Sequence, residues 1–438
     1  MAAEQRARRP LRVLVVGLNF EPEAAGIAPY TSGVVRGLAE RGHDVHVLTS
    51  YPHYPQWRVH AGFDGHTHRD VAGSASVTRL RHYVPRRPAT LNRLLMEVLF
   101  GLRAVTARWR GPDVVLVVSP ALVASSMALV RARLHRVPVV TWVQDIYTLG
   151  VVQTGGSRRS SAIRAVESWL LRRSTRVVVI HERFRAFVRG ELGVDVDVDV
   201  VRNWSHVEAA PAFDRAAVRR RHGWADDEVI VLHAGNMGAK QGLDNVVHAS
   251  RVAAEHGSRV RFILMGDGLR RSDLEALDPN PRLQFLDPLP DGHFEQALEA
   301  ADVLLVNELP GLTEMSVPSK LTTYWATGRP VVAAVDPGST TAEEITVSGA
   351  GLLVPPAAPR ELVEAVTALV ADPGRCAALT RAGEQFRRRH LSVAAGLDAF
   401  ETVLARAVGD DPPTHSAASV LPPMPTAVVV GPGAAEDA

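Results

Sequence analysis

Several things are scarce in this chain of 438 residues. A single cysteine, Cys376, excludes a disulfide framework and any zinc or iron–sulfur site built on several thiolates. Charge of one sign is missing too: 49 basic and 47 acidic residues leave +2, whereas a generic nucleic-acid binder is strongly basic. Long apolar runs are absent. The longest uncharged stretch, Val114–Val130, is interrupted by Ser119-Pro120 and reads as strand, turn and helix rather than a membrane span. The basic N-terminus leads only into a short strand-like run, not the core of a secretory leader, so a soluble cytoplasmic protein is expected. Lysine is the scarcest charge. Of the 49 basic residues only Lys240 and Lys320 are lysines. The arginine bias reads as genome composition and carries no function. The two lysines are either chance survivors or residues kept because a compact three-donor cation suits a phosphate oxygen.

The rest of the composition, 46% apolar and 22% charged, is that of a globular chain, and the length suits two domains of roughly 100–200 residues each. Residues 11–205 alternate β-branched runs with helical patterns. Strands are predicted at Leu11–Val16, Val45–Ser50, Val77–Leu80, Val114–Val118, Val139–Val143, Val177–Ile180 and Val196–Val201, with helices such as Tyr30–Arg41, Leu91–Arg108 and Ala162–Arg173 between them. Several runs lack polar alternation, as in a parallel sheet covered on both faces. A polar connection is expected over residues 206–226. The alternation then restarts over 227–392, with strands at Val229–His233, Arg261–Met265, Leu283–Leu286, Val303–Asn307, Val331–Ala334 and Leu352–Val354. The fold class is therefore α/β, two Rossmann-like doubly wound domains in tandem, whose facing sheet ends would form a cleft. A closing helix is expected over 393–408. Residues 1–10 read as a basic extension, and 409–438, rich in Pro, Ala, Ser and Gly, as a disordered tail.

Candidate chemistry gathers at strand-to-helix junctions. After the first strand, Gly26 precedes a helix, where a glycine lets backbone amides approach a phosphate; it could equally serve loop geometry alone. The second half opens with HAGNMGAKQGLDNVV, in which a strand delivers Gly235 and Gly238 to Lys240 at a helix start, an arrangement able to cradle phosphate though without Walker spacing. In SVPSKLTTYWATG, Ser319 starts a helix and Lys320 lies in its first turn. A cation there opposes the helix dipole unless an anion is bound. The Gly266-Asp267-Gly268 turn and the strand end Phe285–Leu286 could hold a flat base, although such a turn is more often only a turn.

Three other features read as structural. Asp195, Asp197 and Asp199 alternate with valines, which puts the acids on one face of an edge strand rather than around a metal. His181-Glu182 lacks the second histidine of a zincin helix. The helix Leu91–Arg108 carries an apolar set at 91, 94, 95, 98, 99, 102 and 105, with Arg93, Arg103 and Arg108 on its polar side. A core-facing helix is expected, with peripheral membrane-surface docking as the alternative.

Taken together, RVLVVGLNFEPEAAGIAPYTSGVVRGLAERGHDVHVLTSYPHYPQW, VVTWVQDIYTLG, HAGNMGAKQGLDN, LMGDG, VPSKLTTYWATGRPVVAAVDPGSTTAEEI and SGAGLLVPP resemble the retaining glycosyltransferases of family 4, with the GT-B fold, in the branch of the colanic-acid-type polysaccharide glycosyltransferases. The resemblance covers about residues 11–405. It implies transfer of a sugar from a nucleotide-diphosphate donor to a glycan or lipid-linked acceptor, with no cofactor, no essential metal and no nucleic-acid partner. It implies Gly26 facing the donor diphosphate, Lys240 and Lys320 on its phosphates, and Phe285–Leu286 on the base. Helix N-termini and cations can stabilise a diphosphate leaving group in place of a metal. The sequence departs from the family at four points. Asn236 and Gln241 fall where an Arg and a Lys are usual. Thr323 replaces the second glutamate of the E-x7-E pair. Glu314 lies beside Met315 at the first, and Gln144-Asp145 replaces the histidine of the N-terminal half, which leaves Asp145 as a candidate catalytic carboxylate. A GT-B nucleotide-sugar epimerase, or a weakened nucleotide- or glycan-binding homologue, are the alternatives.

Overall fold

The computed structural model describes residues 9–23, 26–86, 90–148, 157–204, 210, 212–311 and 319–410. Contacts divide the chain into two compact units, which exchange at Asn203/Trp204 and again at Ser392/Val393.

The first unit is an 8-stranded sheet. Its strands are β1 (Arg12–Gly17), β2 (Asp44–Ser50), β3 (Thr67–Ala72), β4 (Ala75–Leu80), β5 (Val114–Ser119), β6 (Val139–Val143), β7 (Arg176–Val179) and β8 (Val198–Val200), in the order β3-β4-β2-β1-β5-β6-β7-β8. The pairings are parallel except β3 against β4. Strand β3, THRDVA, was not anticipated: it is an edge strand that is mostly polar, with Thr67, Arg69 and Val71 exposed and His68 and Asp70 half-buried, so it has no apolar pattern to read. Helices α1 (Ala28–Glu40), α2 (Thr90–Thr106), α3 (Leu122–Leu134), α4 (Ser157–Arg173) and α5 (Glu182–Gly190) connect the strands. Strands β1, β2, β5 and β6 are almost wholly buried, which is why their sequences run apolar without alternation.

The second unit is a 6-stranded parallel sheet of β9 (Val229–Ala234), β10 (Val260–Met265), β11 (Leu283–Leu286), β12 (Val303–Asn307), β13 (Val331–Ala334) and β14 (Leu352–Val354), ordered β11-β10-β9-β12-β13-β14. Alternate residues enter separate cores. Ile230, Leu232, Ile263, Leu304 and Val306 pack on one face, and Val231, Phe262, Leu264, Val303 and Leu305 on the other. The flanking helices are α6 (Arg215–His222), α7 (Asp244–Glu255), α8 (Arg271–Leu277), α9 (His293–Ala300), α10 (Ser319–Tyr324), α11 (Thr340–Ser348), α12 (Pro359–Val370) and α13 (Pro373–His390).

Within the expected connection the chain forms helix α6, and the last helix crosses back from the second unit to the first. Helix α6 is part of the second unit. Its Arg219 is buried, bonded to Asp302 and to the carbonyls of Ala225 and Glu228, and Val218 and Trp224 join the core. The last helix, α14 (Val393–Ala407), returns to the first unit. Phe400 packs edge-on against Trp142 at 4.7 Å, and Glu401 accepts from Arg41 and pairs with His43. The tail from residue 411, and Glu314 with its neighbours 312–318, lie outside the described residues.

Helix α2 corrects the expectation of a core-facing apolar stripe. Its buried face is Met96, Glu97, Phe100, Gly101 and Ala104, whereas Leu91, Leu94, Leu95 and Leu102 are exposed. The helix is apolar on two sides, and periodicity singled out the one that faces water. Asp197 and Asp199 lie at the edge strand β8, where Arg176 bridges both, at 2.8 and 2.9 Å. His181 caps α5, accepting from the amide of Arg183 at 3.1 Å.

Candidate functional site

In a doubly wound sheet, ligands bind at the carboxyl ends of the strands where the strand order reverses. In the second unit that point lies between β9 and β12, the adjacent strands from which the chain winds outward in opposite directions. Near that end β9 carries His233 and β12 carries Asn307, and Lys320 comes to this point from α10.

Lys320 is largely buried. Its ammonium donates to His233 Nε2 at 2.8 Å. His233, at the end of β9, is fully buried, and its Nδ1 lies 3.1 Å from the carbonyl oxygen of Leu305. A carbonyl only accepts, so Nδ1 carries the proton and Nε2 is the accepting nitrogen. The ring is neutral: burial first and the Lys320 charge second hold its pKa well below the usual histidine value. Burial also pushes the lysine down to about 8, partly offset by the charge of Glu308 just past β12. Glu308 is itself pushed up by burial, against the opposing effects of a Thr341 hydroxyl bond and of Lys320. Four residues after Lys320, on the same face of α10, the buried Tyr324 hydroxyl accepts from the amide of Ala234 at 2.9 Å and fixes the helix to β9.

Around this cation the loops pack backbone on backbone. A Cβ at Gly235 (φ +125°) would sit 3.0 Å from Lys320 Cε, so the lysine stem crosses the glycine directly. At Gly266 (φ +140°) a Cβ would lie 2.0 Å from the carbonyl oxygen of Gly235. The Gly266–Gly268 turn is thus bound to the 235–237 loop, with the amide of Met237 donating to Asp267 O at 2.8 Å and that of Gly235 to Met265 O at 2.8 Å. Of the remaining predicted residues, Gln241 turns back on its own loop and accepts from the amide of Gly238 at 3.0 Å, which gives it a structural task. Asn236 and Lys240 are exposed beside it. The buried Asn307 donates to the carbonyls of Gln241 and Gly242 and ties that turn to β12. Phe285 and Leu286 are half-buried on the edge strand β11, where the Leu286 carbonyl accepts from the Gly266 amide. Thr323 is half-buried in α10; Ser319 begins that helix. His233, Glu308 and Tyr324 were not anticipated. Their signal was position, since each lies in or just beyond a strand, or four residues from Lys320.

In the first unit the reversal falls between β1 and β5. There a cavity of about 170 Å³ is lined by Asn19, Gly26, His53, Trp57, Glu97 and Tyr147 among others. Glu23, buried, accepts from the amides of His53 and Tyr54 at 2.7 and 2.8 Å and from Asn19 Nδ2 at 2.8 Å, which knits the loops after β1 and β2 together. Gly26 (φ +64°) lies just before the Ile27 cap of α1, against the Tyr54 ring. Trp57 holds a left-handed backbone (φ 52°), a costly conformation that the surroundings must impose, and the Arg93 guanidinium lies 5.2 Å from its ring centre. Glu97 on α2 accepts from the Tyr147 hydroxyl at 2.6 Å and from the Val123 amide at 2.9 Å, with burial pushing its carboxyl up. Asp145 lines the same cavity from its exposed rim, and partial desolvation raises its carboxyl as well. Gln144 behind it is buried in a reciprocal amide pair with Asn203.

Two parallel wound sheets, each with a polar site at its reversal point, define a GT-B fold. Residues 25–204 match the "Glycosyl transferase 4-like domain" and residues 228–372 "Glycosyl transferases group 1". The chain is 30% identical over 338 residues to the putative colanic acid biosynthesis glycosyl transferase WcaI of Escherichia coli K12, covering 73% of this chain and 82% of the relative. It is 29% identical to the 2-deoxystreptamine glucosyltransferase of Streptomyces kanamyceticus, over 85% of this chain and 97% of that one. Anabaena HepE, solved in complex with UDP, superimposes with a TM-score of 0.63 at 15% identity, over 90% of this chain and 100% of that one. The chain belongs to the GT-B glycosyltransferases with a family-4-type N-terminal domain, and it is an enzyme of glycosyl transfer.

Proposed function

We propose that the second unit binds a nucleoside-diphosphate sugar and that its sugar passes, with retention of configuration and without an essential metal, to a glycan or lipid-linked acceptor bound by the first unit. The observation that carries the donor reading is the Lys320 ammonium, held by His233 at the β9–β12 reversal next to Gly235. A buried cation costs free energy unless something compensates it, and a phosphate does so with charge-assisted hydrogen bonds. An ammonium has three donors; one goes to His233, and the pair is directed rather than swinging on a flexible stem. As the bond from the anomeric carbon to the diphosphate oxygen breaks, charge accumulates on the leaving group, and a preoriented cation in a low-dielectric site stabilises that charge more than it stabilises the bound donor. Lys240, exposed at the neighbouring loop, is assigned to the same phosphates, and Phe285–Leu286 to the base. UDP in HepE and the relatives' names support a nucleotide-sugar donor.

The acceptor reading rests on the cavity of the first unit. Aromatic faces at Trp57, Tyr54 and Tyr147 suit the apolar faces of a sugar ring, and Asn19, Glu97, Asp145 and Arg93 supply hydrogen bonds at its edges. The experiment is a donor screen with product analysis. Free nucleoside diphosphate together with a glycosylated acceptor of the donor's anomeric configuration supports the reading. An isomerised donor would make the protein an epimerase, and neither product a binding homologue.

A further inference from the structure

His53, just beyond the end of β2, lines the first unit's cavity and is itself only 2% exposed. Its Nδ1 lies 2.9 Å from the carbonyl oxygen of Tyr51 and 3.4 Å from the Ser50 hydroxyl. A carbonyl only accepts, so Nδ1 carries the proton and Nε2 presents a lone pair. Glu23 Oε1, 3.6 Å from Nδ1, favours the proton on that same nitrogen. The ring is held from several sides. Trp57 and His82 meet it edge-on, at 5.9 and 5.2 Å between ring centres, and the His53 amide donates to the buried Glu23 at 2.7 Å. Nε2 has no hydrogen-bond partner among the described residues and is not sealed from solvent, in contrast to both ring nitrogens of His82, which are buried without partners. Since His53 exposes so little and lines the cavity, that nitrogen opens into it.

Other polar groups of the cavity are engaged. Glu97 accepts from the Tyr147 hydroxyl and the Val123 amide, Asn19 gives its side-chain amide to Glu23, and Arg93 lies over Trp57. Asp145 stands at the exposed rim. The interior therefore offers a fixed lone pair beside an indole ring. We propose that His53 is a specificity-determining residue for the acceptor, its Nε2 taking a hydrogen bond from one hydroxyl of the sugar that rests against Trp57. The proposal rests on the acceptor reading above and goes further, since it names the group that is recognised. An accepting nitrogen takes a hydroxyl and refuses a carboxylate, an ether oxygen or an acyl ester in the same place. A site built to bond a hydroxyl also rejects the analogue that lacks it, because the protein's own polar group is then left unpaired. The acceptor class is thus a sugar that is free, neither deoxygenated nor acylated, at one particular hydroxyl. His53 plays no part in breaking the donor's bond; it selects and orients what attacks.

The test titrates the full chain by ligand-observed NMR with methyl hexopyranosides and their monodeoxy and mono-O-acetyl derivatives. His53→Asn keeps an amide that can reach the Tyr51 carbonyl and removes the Nε2 lone pair. His53→Gln can place an amide oxygen near the Nε2 position. At least one glycoside should bind the wild type, and its derivatives at one position should bind about 10–100-fold more weakly. In His53→Asn the parent glycoside should weaken by a similar factor and no longer be preferred over that deoxy derivative, while His53→Gln should recover part of the affinity. The melting temperature of His53→Asn should stay near that of the wild type. Equal binding by wild type and His53→Asn overturns the assignment of His53 and leaves the acceptor reading standing, as does a variant that still prefers the parent over the deoxy derivative to the full extent. Failure of every glycoside to bind the wild type removes the acceptor reading and the proposal with it. A variant that loses affinity only because it melts early makes His53 a structural residue and overturns the proposal as well.

Discussion

The two units share a winding plan and place polar side chains at the same topological point, yet they build those points from opposite materials. In the second unit the site is a buried cation on a neutral histidine, and glycine backbones press so closely that a single Cβ at Gly266 would meet a carbonyl oxygen at 2.0 Å. In the first unit it is a cavity with aromatic walls, and its buried carboxylates are spent on loop geometry: Glu23 on His53 and Tyr54, Glu167 on Tyr147 and Thr148. The difference teaches which half carries electrostatics and which carries shape. A diphosphate is the same in every nucleotide sugar and rewards a rigid charge. An acceptor varies, and a cavity of aromatic faces and edge hydrogen bonds can change with it.

Substitutions can break that comparison. The largest effect is expected at Lys320. Replacement by Ala removes the cation that faces the leaving group and should lower transfer by roughly 10²–10³-fold, about 2.7–4 kcal/mol, in steady-state rates at saturating acceptor. Lys320→Arg, which cannot reproduce a point charge against His233 beside Gly235, should recover only part of the rate. If the alanine variant turns over like wild type, the second unit is not the electrostatic half. A similar loss, this time in stability, is expected of Gly266→Ala, because the added carbon collides with backbone. A drop of about 2–4 kcal/mol in denaturant unfolding would express it.

The pH dependence sharpens the same point. With Lys320 at about 8, kcat/KM for the donor should fall as pH rises through that value, and the limb should move out of range in Lys320→Arg. Folding lowers this pKa from 10.5, so between about 8 and 10.5 the unfolded chain binds more protons and the lysine's contribution makes stability rise with pH. Below that window the buried charge is a liability. Lys320→Met should therefore stabilise the ligand-free protein near neutral pH, on the order of 1–3 kcal/mol, while abolishing donor binding.

Smaller and opposite in kind is Trp57→Ala in the first unit. It should raise acceptor KM by roughly tenfold, in line with the loss of one aromatic face, and leave nucleotide-sugar stabilisation unchanged. A variant that loses donor binding instead would merge the two sites. The smallest effect is expected at the edge strand. Joint replacement of Asp195, Asp197 and Asp199 by Asn should cost about 1 kcal/mol or less, through Arg176, with activity retained in EDTA.

How far the sequence reveals all this differs between the units in the same way. The strands of the second unit were legible nearly to the residue, because a sheet buried on both faces writes continuous apolar runs bounded by glycine turns. The antiparallel β3 was not, since an exposed edge strand has no pattern to show. Lys320 was legible because lysine is so rare here. Its partner His233 was not, because a histidine inside HAGNMG reads as the end of a strand and only the three-dimensional pairing shows what it accepts. The loop-building roles of Gln241 and Gly266 were not legible either, because a hydrogen bond back to the Gly238 amide and a backbone pressed against the Gly235 carbonyl exist only in the folded loop. On α2 the periodicity shows the helix but not which of its faces is buried. Two apolar faces cannot be ranked from spacing alone, and packing against α3 chose the one containing Phe100 and Gly101.

The most direct test of the central claim is a thermal-shift panel of nucleoside-diphosphate sugars on the wild type and Lys320→Met side by side, since a ligand that binds only the folded state raises its melting temperature by mass action. The account predicts that at least one donor stabilises the wild type and that none stabilises the methionine variant, even though that variant starts out more stable. Equal stabilisation of both proteins by the same donor would place the diphosphate elsewhere and contradict the assignment of Lys320.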